Sequence, residues 1–196
     1  VTATQLMRNY DANRTTINRV LSRLNNEGLI DRGPGSRWTF RPALNSPDTY
    51  QECYRFRLLI EPAAILESSF KIDEPMFQQI RRAHQHLIDG AVYNLDLGRL
   101  FEIDARFHEC VGACSGNRFL AEVIRQQNLV RRLSEYACYD DRDRLYESCL
   151  EHLKILDAIE NGDREYAARL MHQHIAVSRD VLPPFANGSV ATPSGS

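Results

Sequence analysis

One amphipathic period followed at once by a hairpin signal constrains the first part of this chain more than any other feature does. Within Asn13 to Phe40 (NRTTINRVLSRLNNEGLIDRGPGSRWTF), Ile17, Val20, Leu21 and Leu24 recur at i, i+3, i+4 and i+7, the apolar stripe of one helix. The other face carries Arg14, Thr15, Asn18, Ser22 and Arg23. Gly28 stands where a left-handed C-terminal cap would close that helix. Leu29-Ile30, the turn Gly33-Pro34-Gly35 and Trp38-Thr39-Phe40 predict a small two-stranded hairpin with Arg37 near its tip. Upstream, Thr2-Ala3-Thr4-Gln5 has capping-box spacing and predicts a short helix to about Tyr10. Helix, tight turn, helix, hairpin is the order of a winged helix-turn-helix, predicted here over residues 1–41. The plain alternative is a helical hairpin with a solvated polar face.

Charge distribution favours the first reading. Residues 1–45 carry seven Arg against Asp11, Glu27 and Asp31, a net +4, while the whole chain is −2, which leaves −6 on the remainder. A basic head on an acidic body suits a phosphate-binding module joined to something else. The candidate contacts to double-stranded DNA are Arg14, Thr15, Thr16 and Asn18 near the helix start, for base edges, with Asn13 beside them. Arg23 and the wing Arg37 are the candidates for phosphate or the minor groove.

Pro42 to Thr49 (PALNSPDT) lacks periodicity and carries two prolines, so residues 42–49 read as a linker. Six helical patterns and no convincing strand follow, over roughly 50–70, 73–91, 95–114, 117–139, 142–161 and 163–182. The chain is therefore predicted mostly α, the winged module preceding a six-helix antiparallel bundle over 50–182. Asp73 and Asn117 are expected N-caps; Gly90, Gly116 and Gly162 fall near helix ends. Pro62 is expected to kink the first body helix. Residues 183–196 are predicted to be a disordered tail. There is no apolar run long enough for a membrane span and no signal-peptide pattern, so a cytoplasmic protein without membrane partners is expected. Five cysteines, an odd number with no CxxC, suit reduced thiols. Cys110 and Cys114, one turn apart, could ligate a soft metal or serve as small buried hydrophobes.

Helical phase then singles out four polar residues. The inward stripes are Leu97, Leu100/Phe101, Asp104, His108, Val111 in the third body helix and Leu145, Cys149, His152, Leu156, Ile159 in the fifth. In the sixth the stripe is Ala167, Leu170/Met171, His174, Val177. A buried carboxylate and three buried imidazoles are costly unless paired or coordinated. Asp104 and His108 share one face one turn apart, and His152 and His174 would complete a set suited to Zn, Ni, Mn or Fe. Hydrogen-bonded core histidines are the plain alternative. His172 shares a face with Arg169 and Arg179 and should point outward; His84 and His86, in the polar stretch RRAHQH, read as surface residues. In the fourth body helix Arg131 shares a face with Leu120 and Ile124, where a guanidinium could grip a carboxylate by two parallel hydrogen bonds. Asn128, with Arg125 and Arg132, falls on another face. Arg57 is a second candidate for that contact, although Arg57 and Glu61 are spaced to pair with each other.

The head resembles the GntR family of bacterial transcription regulators, whose recognition segment runs Ser-Arg-Thr-Pro-Val-Arg-Glu-Ala-Leu, then Leu-x-x-x-Gly-Leu-Val/Ile. Asn13 to Leu21 and Leu24 to Ile30 occupy those places, with Asn18-Arg19 in place of the usual Arg-Glu. The resemblance implies another helix ahead of the one that opens this chain, so an incomplete three-helix core is expected. The body resembles the FCD domain of the FadR-like branch. Asp104 to His108 match D-x-x-x-H, Glu151 to Ile159 match E-H-x-x-I-L-x-A-I, and Met171 to His174 match M-x-x-H. Arg57 to Pro62 and Gly116 to Leu120 match R-x-x-x-E-P and G-N-x-x-L. Six body helices resemble the VanR-type subgroup.

The resemblance implies a divalent metal, zinc first, on Asp104, His108, His152 and His174, with a small carboxylate metabolite completing its coordination through Arg131 or Arg57. It also implies a homodimer on a palindromic operator, more often a repressor than an activator. A metal-sensing regulator is the alternative. A metal-dependent hydrolase is weaker, because no Glu or His stands obviously as a general base and the basic head would have no role.

Overall fold

The computed structural model describes residues 1–26, 29–40, 46–135 and 141–180. Two compact units divide the chain at Ala43/Leu44. In the first unit the Thr2 side chain accepts from the Gln5 amide while Gln5 reaches back to the Thr2 amide, opening α1 (Ala3–Asn9). Asn13 Oδ1 accepts from the Thr16 amide at 2.9 Å at the start of α2 (Arg14–Asn26). Ile17 and Leu21 bury the inner face of α2, whereas Val20, placed on the same stripe from sequence, is exposed.

Strands β1 (Ile30–Arg32) and β2 (Trp38–Phe40) pair antiparallel with Asp31 opposite Thr39, and a turn of 3-10 helix at Pro34–Ser36 joins them. Thr2 bridges to Arg37, which ties the start of α1 to the wing. An apolar groove of about 580 Å³ runs between α1, α2 and β2, lined by Leu6, Tyr10, Ile17, Val20, Trp38 and Phe40. The Gly28 cap lies outside the described residues.

The second unit is a six-helix bundle: α3 (Pro47–Leu66), α4 (Glu74–Ile88), α5 (Leu97–Cys114), α6 (Arg118–Glu135), α7 (Arg142–Glu160) and α8 (Arg164–Arg179). The first of these starts earlier than its periodicity suggested. Ser46 and Thr49 form a reciprocal capping box and Pro47 takes the first helical position, where its missing N–H costs nothing, so the last three residues of the expected linker are helix. Asp73 caps α4 through the Met76 amide, and Asn117 accepts from the Phe119 amide at the head of α6. Gly116, between α5 and α6, has φ +70°, and a Cβ there would stand 2.9 Å from the Ser69 carbonyl oxygen, so both conformation and space call for glycine.

α3 packs most extensively on α8, with α5, α6 and α7 completing the core. Phe77, Phe107, Val111, Ile155, Leu156, Met171 and Ile175 form its main cluster. Val177, expected inward, is exposed; Ile175 takes the buried position beside His174. Cys53, Cys110, Cys114 and Cys149 are buried; Cys138 and the tail 183–196 lie outside the described residues. No helix among the described residues is long and apolar enough to cross a membrane.

Candidate metal and effector centre

The inward positions of α5, α7 and α8 meet at one point of the bundle. One ring nitrogen each from His108, His152 and His174 lies within 4.8 Å of the others, and all three residues are buried. Asp104 Oδ1 stands 3.8 Å from Nε2 of both His108 and His152. The four residues expected from phase are thus brought together.

Hydrogen bonds on the outer edge of each ring decide what the inner edge offers. Glu151 Oε2 lies 2.6 Å from His174 Nδ1, and Glu61 Oε2 lies 2.5 Å from His108 Nδ1. A carboxylate can only accept, so both rings carry a proton on Nδ1, and in its neutral form each ring offers Nε2 as an acceptor. His152 Nε2 and His174 Nε2 are 3.1 Å apart. Two ligands at zinc–nitrogen distances of about 2.0–2.1 Å would be separated by roughly 3 Å, so this spacing fits one shared ion. Phe107 stacks on His152 with centroids 3.9 Å apart and holds that ring's plane.

Both candidate arginines reach the centre. Arg131, buried on α6, donates to Asp104 Oδ2 at 3.0 Å and to Asn128 Oδ1 at 2.8 Å. Asn128, expected on another face of that helix, is itself buried and donates to the Ala105 carbonyl. Arg57, 1% exposed, donates from Nε to Glu61 at 2.6 Å and sets Nη2 3.1 Å from His108 Nε2. It therefore pairs with Glu61 as its spacing allowed, yet also points at a candidate metal ligand. A cavity of about 10 Å³, room for one water, lies beside Asp104, Ser148 and His152 under Leu87 and Leu100.

Burial acts on every ionisable group here, and its sign differs by type. It pushes the His152 imidazole well below its ordinary value, and pushes His108 and His84 down as well. Burial alone would raise Asp104, but Arg131, His108 and Arg57 outweigh it and hold that carboxyl down to about 2. Against the same burial, hydrogen bonds from His174 and Arg144 hold Glu151 down to about 2, and Arg57 with His108 holds Glu61 far below the carboxylate range. Neutral imidazoles among ionised carboxylates are the state in which a cation is best received.

His84 corrects the sequence reading. It is not on the surface but 1% exposed, with Nε2 2.9 Å from His152 Nδ1. The signal was present: Phe77, Ile80, His84 and Leu87 make one buried stripe of α4. The polar neighbours in RRAHQH masked it. His86 and His172 are exposed, as expected. Glu151 and Glu61, the outer partners, stand within the matched motifs, but helical phase alone assigns neither to the centre.

In the first unit Asn13, Arg14, Thr15, Asn18, Arg23 and Arg37 are all exposed, and Thr16 is half-buried. The Asn13 side chain is occupied in capping α2.

The convergent histidines sit in a helical bundle that follows a unit of two helices and a two-stranded hairpin. The FCD domain model matches residues 52–177. The chain belongs to the FCD-domain family. Its fold matches E. coli McbR/YncC with a TM-score of 0.72 at 15% identity, covering 92% of this chain and 85% of that one. Lar, described as controlling expression of the Listeria monocytogenes agr system, matches with a TM-score of 0.68 at 15% identity, covering 92% and 84%. A GntR transcriptional regulator from Rhodococcus sp. RHA1 matches with 0.67 at 18%, over the same shares. By sequence, no curated protein matches the chain.

Proposed function

We propose that the chain is a GntR-type transcription regulator that binds a palindromic operator as a homodimer, and that a small carboxylate metabolite docking at a metal in the helical unit sets its operator affinity. The observation that carries this reading is the convergence of one ring nitrogen each from His108, His152 and His174 on a point beside Asp104 and Arg131. Asp104, His108, His152 and His174 would hold the ion, zinc first by its taste for imidazole, with Ni, Mn or Fe as alternatives. When bound, it would supply a Lewis-acidic anchor for an anion.

Arg131 now spends its charge on Asp104, and the adjoining cavity has room for one water. A ligand carboxylate therefore has to take over Arg131 and open space between α5 and α6. That repacking gives the two states different ligand contacts, which a switch requires. The residues proposed for DNA contact are Arg14, Thr15, Thr16 and Asn18 at the start of α2, with Asn13, Arg23 and the wing Arg37 on the backbone.

The test is operator DNA selected from random sequence and titrated with metal-loaded protein across a panel of small carboxylates. One carboxylate should shift the affinity at constant metal. A shift that follows free metal instead would favour a metal sensor. On the selected site Arg14→Ala should weaken binding by about 1–3 kcal/mol if Arg14 reads a base; unchanged affinity and sequence preference would remove it from the interface.

The surface of α3 supports the homodimer. Phe56, Leu59, Ala63 and Leu66 form an exposed stripe along it, with Leu59 73% exposed, although its other face is already in the core. A helix apolar on both faces expects cover on both. Pairing two copies of α3 antiparallel about a two-fold axis sets Phe56 opposite Leu66, Leu59 opposite Ala63 and Arg55 opposite Glu67, large on small and plus on minus. Leu59→Glu should therefore sediment as a monomer where the parent chain is dimeric; a dimeric variant would place the interface elsewhere.

A further inference from the structure

Metal-bound histidines almost always donate their outer N–H to a carboxylate, a carbonyl or water, which fixes the ring and raises its basicity. His108 and His174 follow that rule through Glu61 and Glu151. His152 does not: its Nδ1 faces another imidazole, Nε2 of His84, at 2.9 Å.

The tautomers of this pair can be worked out from one end. His84 Nδ1 lies 2.9 Å from the Ile80 carbonyl oxygen, which can only accept, so the His84 proton sits on Nδ1. His84 Nε2 is then bare and accepts from His152 Nδ1–H. His152 Nε2 is left bare in turn, and it is the atom that faces His174 and Asp104. The chain of donors runs in one direction, from the ligand ring through His84 to the backbone of α4. His84 itself is held at the inward register of α4, edge-on to Phe107 and at 74° to the His152 ring, so it cannot turn away without opening the core.

We propose that His84 is a positioning residue of the metal centre, selecting the tautomer and orientation of His152 through an uncharged acceptor. The inference rests on the metal reading above. It also makes His152 unlike the other two ligand rings. They are backed by anions; His152 is backed by a neutral ring and is the weakest electron donor of the three. His152 is then the ligand most easily exchanged when a second group approaches the ion.

The experiment uses the full chain and zinc as the probe. Zinc affinity is measured by chelator competition for the parent, for His84→Leu, which fills the space without an acceptor, and for His84→Gln. The Gln carboxamide can accept from His152 and donate to the Ile80 carbonyl. His84→Leu should bind zinc about 10–100-fold more weakly, and His84→Gln should recover most of that loss. Imidazole ¹⁵N–¹H correlation spectra of the unsubstituted chain, without zinc and with it, should show the His152 proton on Nδ1 and protected from exchange.

Parent-like affinity in His84→Leu would overturn the inference and leave the metal reading standing. So would a His152 proton found on Nε2 in the zinc-free parent chain, a result that needs no variant to fold. Absence of zinc binding by the parent chain would overturn the metal reading, and the positioning role with it.

Discussion

Zinc-loaded protein is expected to unfold roughly 10 °C above chelator-stripped protein, and the His108→Ala/His152→Ala variant to lose that difference. His152 Nε2 and His174 Nε2 lie 3.1 Å apart with Asp104 nearby, so two neutral rings with protons on Nδ1 would turn lone pairs toward each other. Binding an ion removes that conflict and acts on the native state alone, because an unfolded chain holds no such set. A ligand present at about a thousand times its dissociation constant stabilises by about 4 kcal/mol, and a chain of this size moves by about 2–4 °C per kcal/mol. Elemental analysis run beside the melting curves should show about one ion per chain, absent from the double variant. A parent chain that holds no metal after reconstitution would reduce the four residues to a self-satisfied polar core. The effector mechanism would then fall, leaving the DNA-binding proposal.

Arg57→Ala should cost about 3–5 kcal/mol, the loss typical of a buried ion pair with one partner removed. Arg57 and Glu61 are each about 1% exposed, and Glu61 is held ionised by Arg57 and His108 together. Removing the guanidinium leaves a carboxylate in the core with one imidazole to face. Arg57→Met/Glu61→Leu should recover much of the loss, since it removes both charges and keeps the packing volume. Urea unfolding of the three forms decides this. If Arg57→Ala costs under about 1 kcal/mol, water reaches the pair and the buried description is wrong.

The same cluster sets how the metal-free chain responds to acid. Burial holds His84, His108 and His152 below the ordinary imidazole value of 6.5, so below that pH the unfolded chain takes up protons that the folded chain refuses. Their contribution is present above 6.5 and is lost as pH falls. Asp104, Glu61 and Glu151 are also depressed and add a second loss in the same direction, at more acid pH. Stability should therefore begin to decline below about pH 6.5 and steepen below about pH 4. A flat profile between about pH 7 and pH 5 would mean that the imidazoles are solvated in the native state.

Much of this was legible in one dimension. A 3.6-residue period states which side of a helix faces inward, and that alone picked out Asp104, His108, His152, His174 and Arg131. Capping chemistry and glycine placed the helix ends, and Gly33-Pro34-Gly35 placed the wing. Period fails where a stripe is wide or its neighbours are misleading. Val20 and Val177 are in phase yet exposed, Asn128 is off phase yet buried, and His84 was hidden by the polar residues beside it.

The sequence by itself determined the helices, their inward faces and the donor types, because each depends on residues within a few positions of one another. Only the tertiary structure decided that His108, His152 and His174 share one point, that Glu61 and Glu151 set two of their tautomers, and that His84 sets the third. Those relations depend on the rotation and offset of helices far apart in the chain, which the packing of the whole core selects and no local pattern encodes.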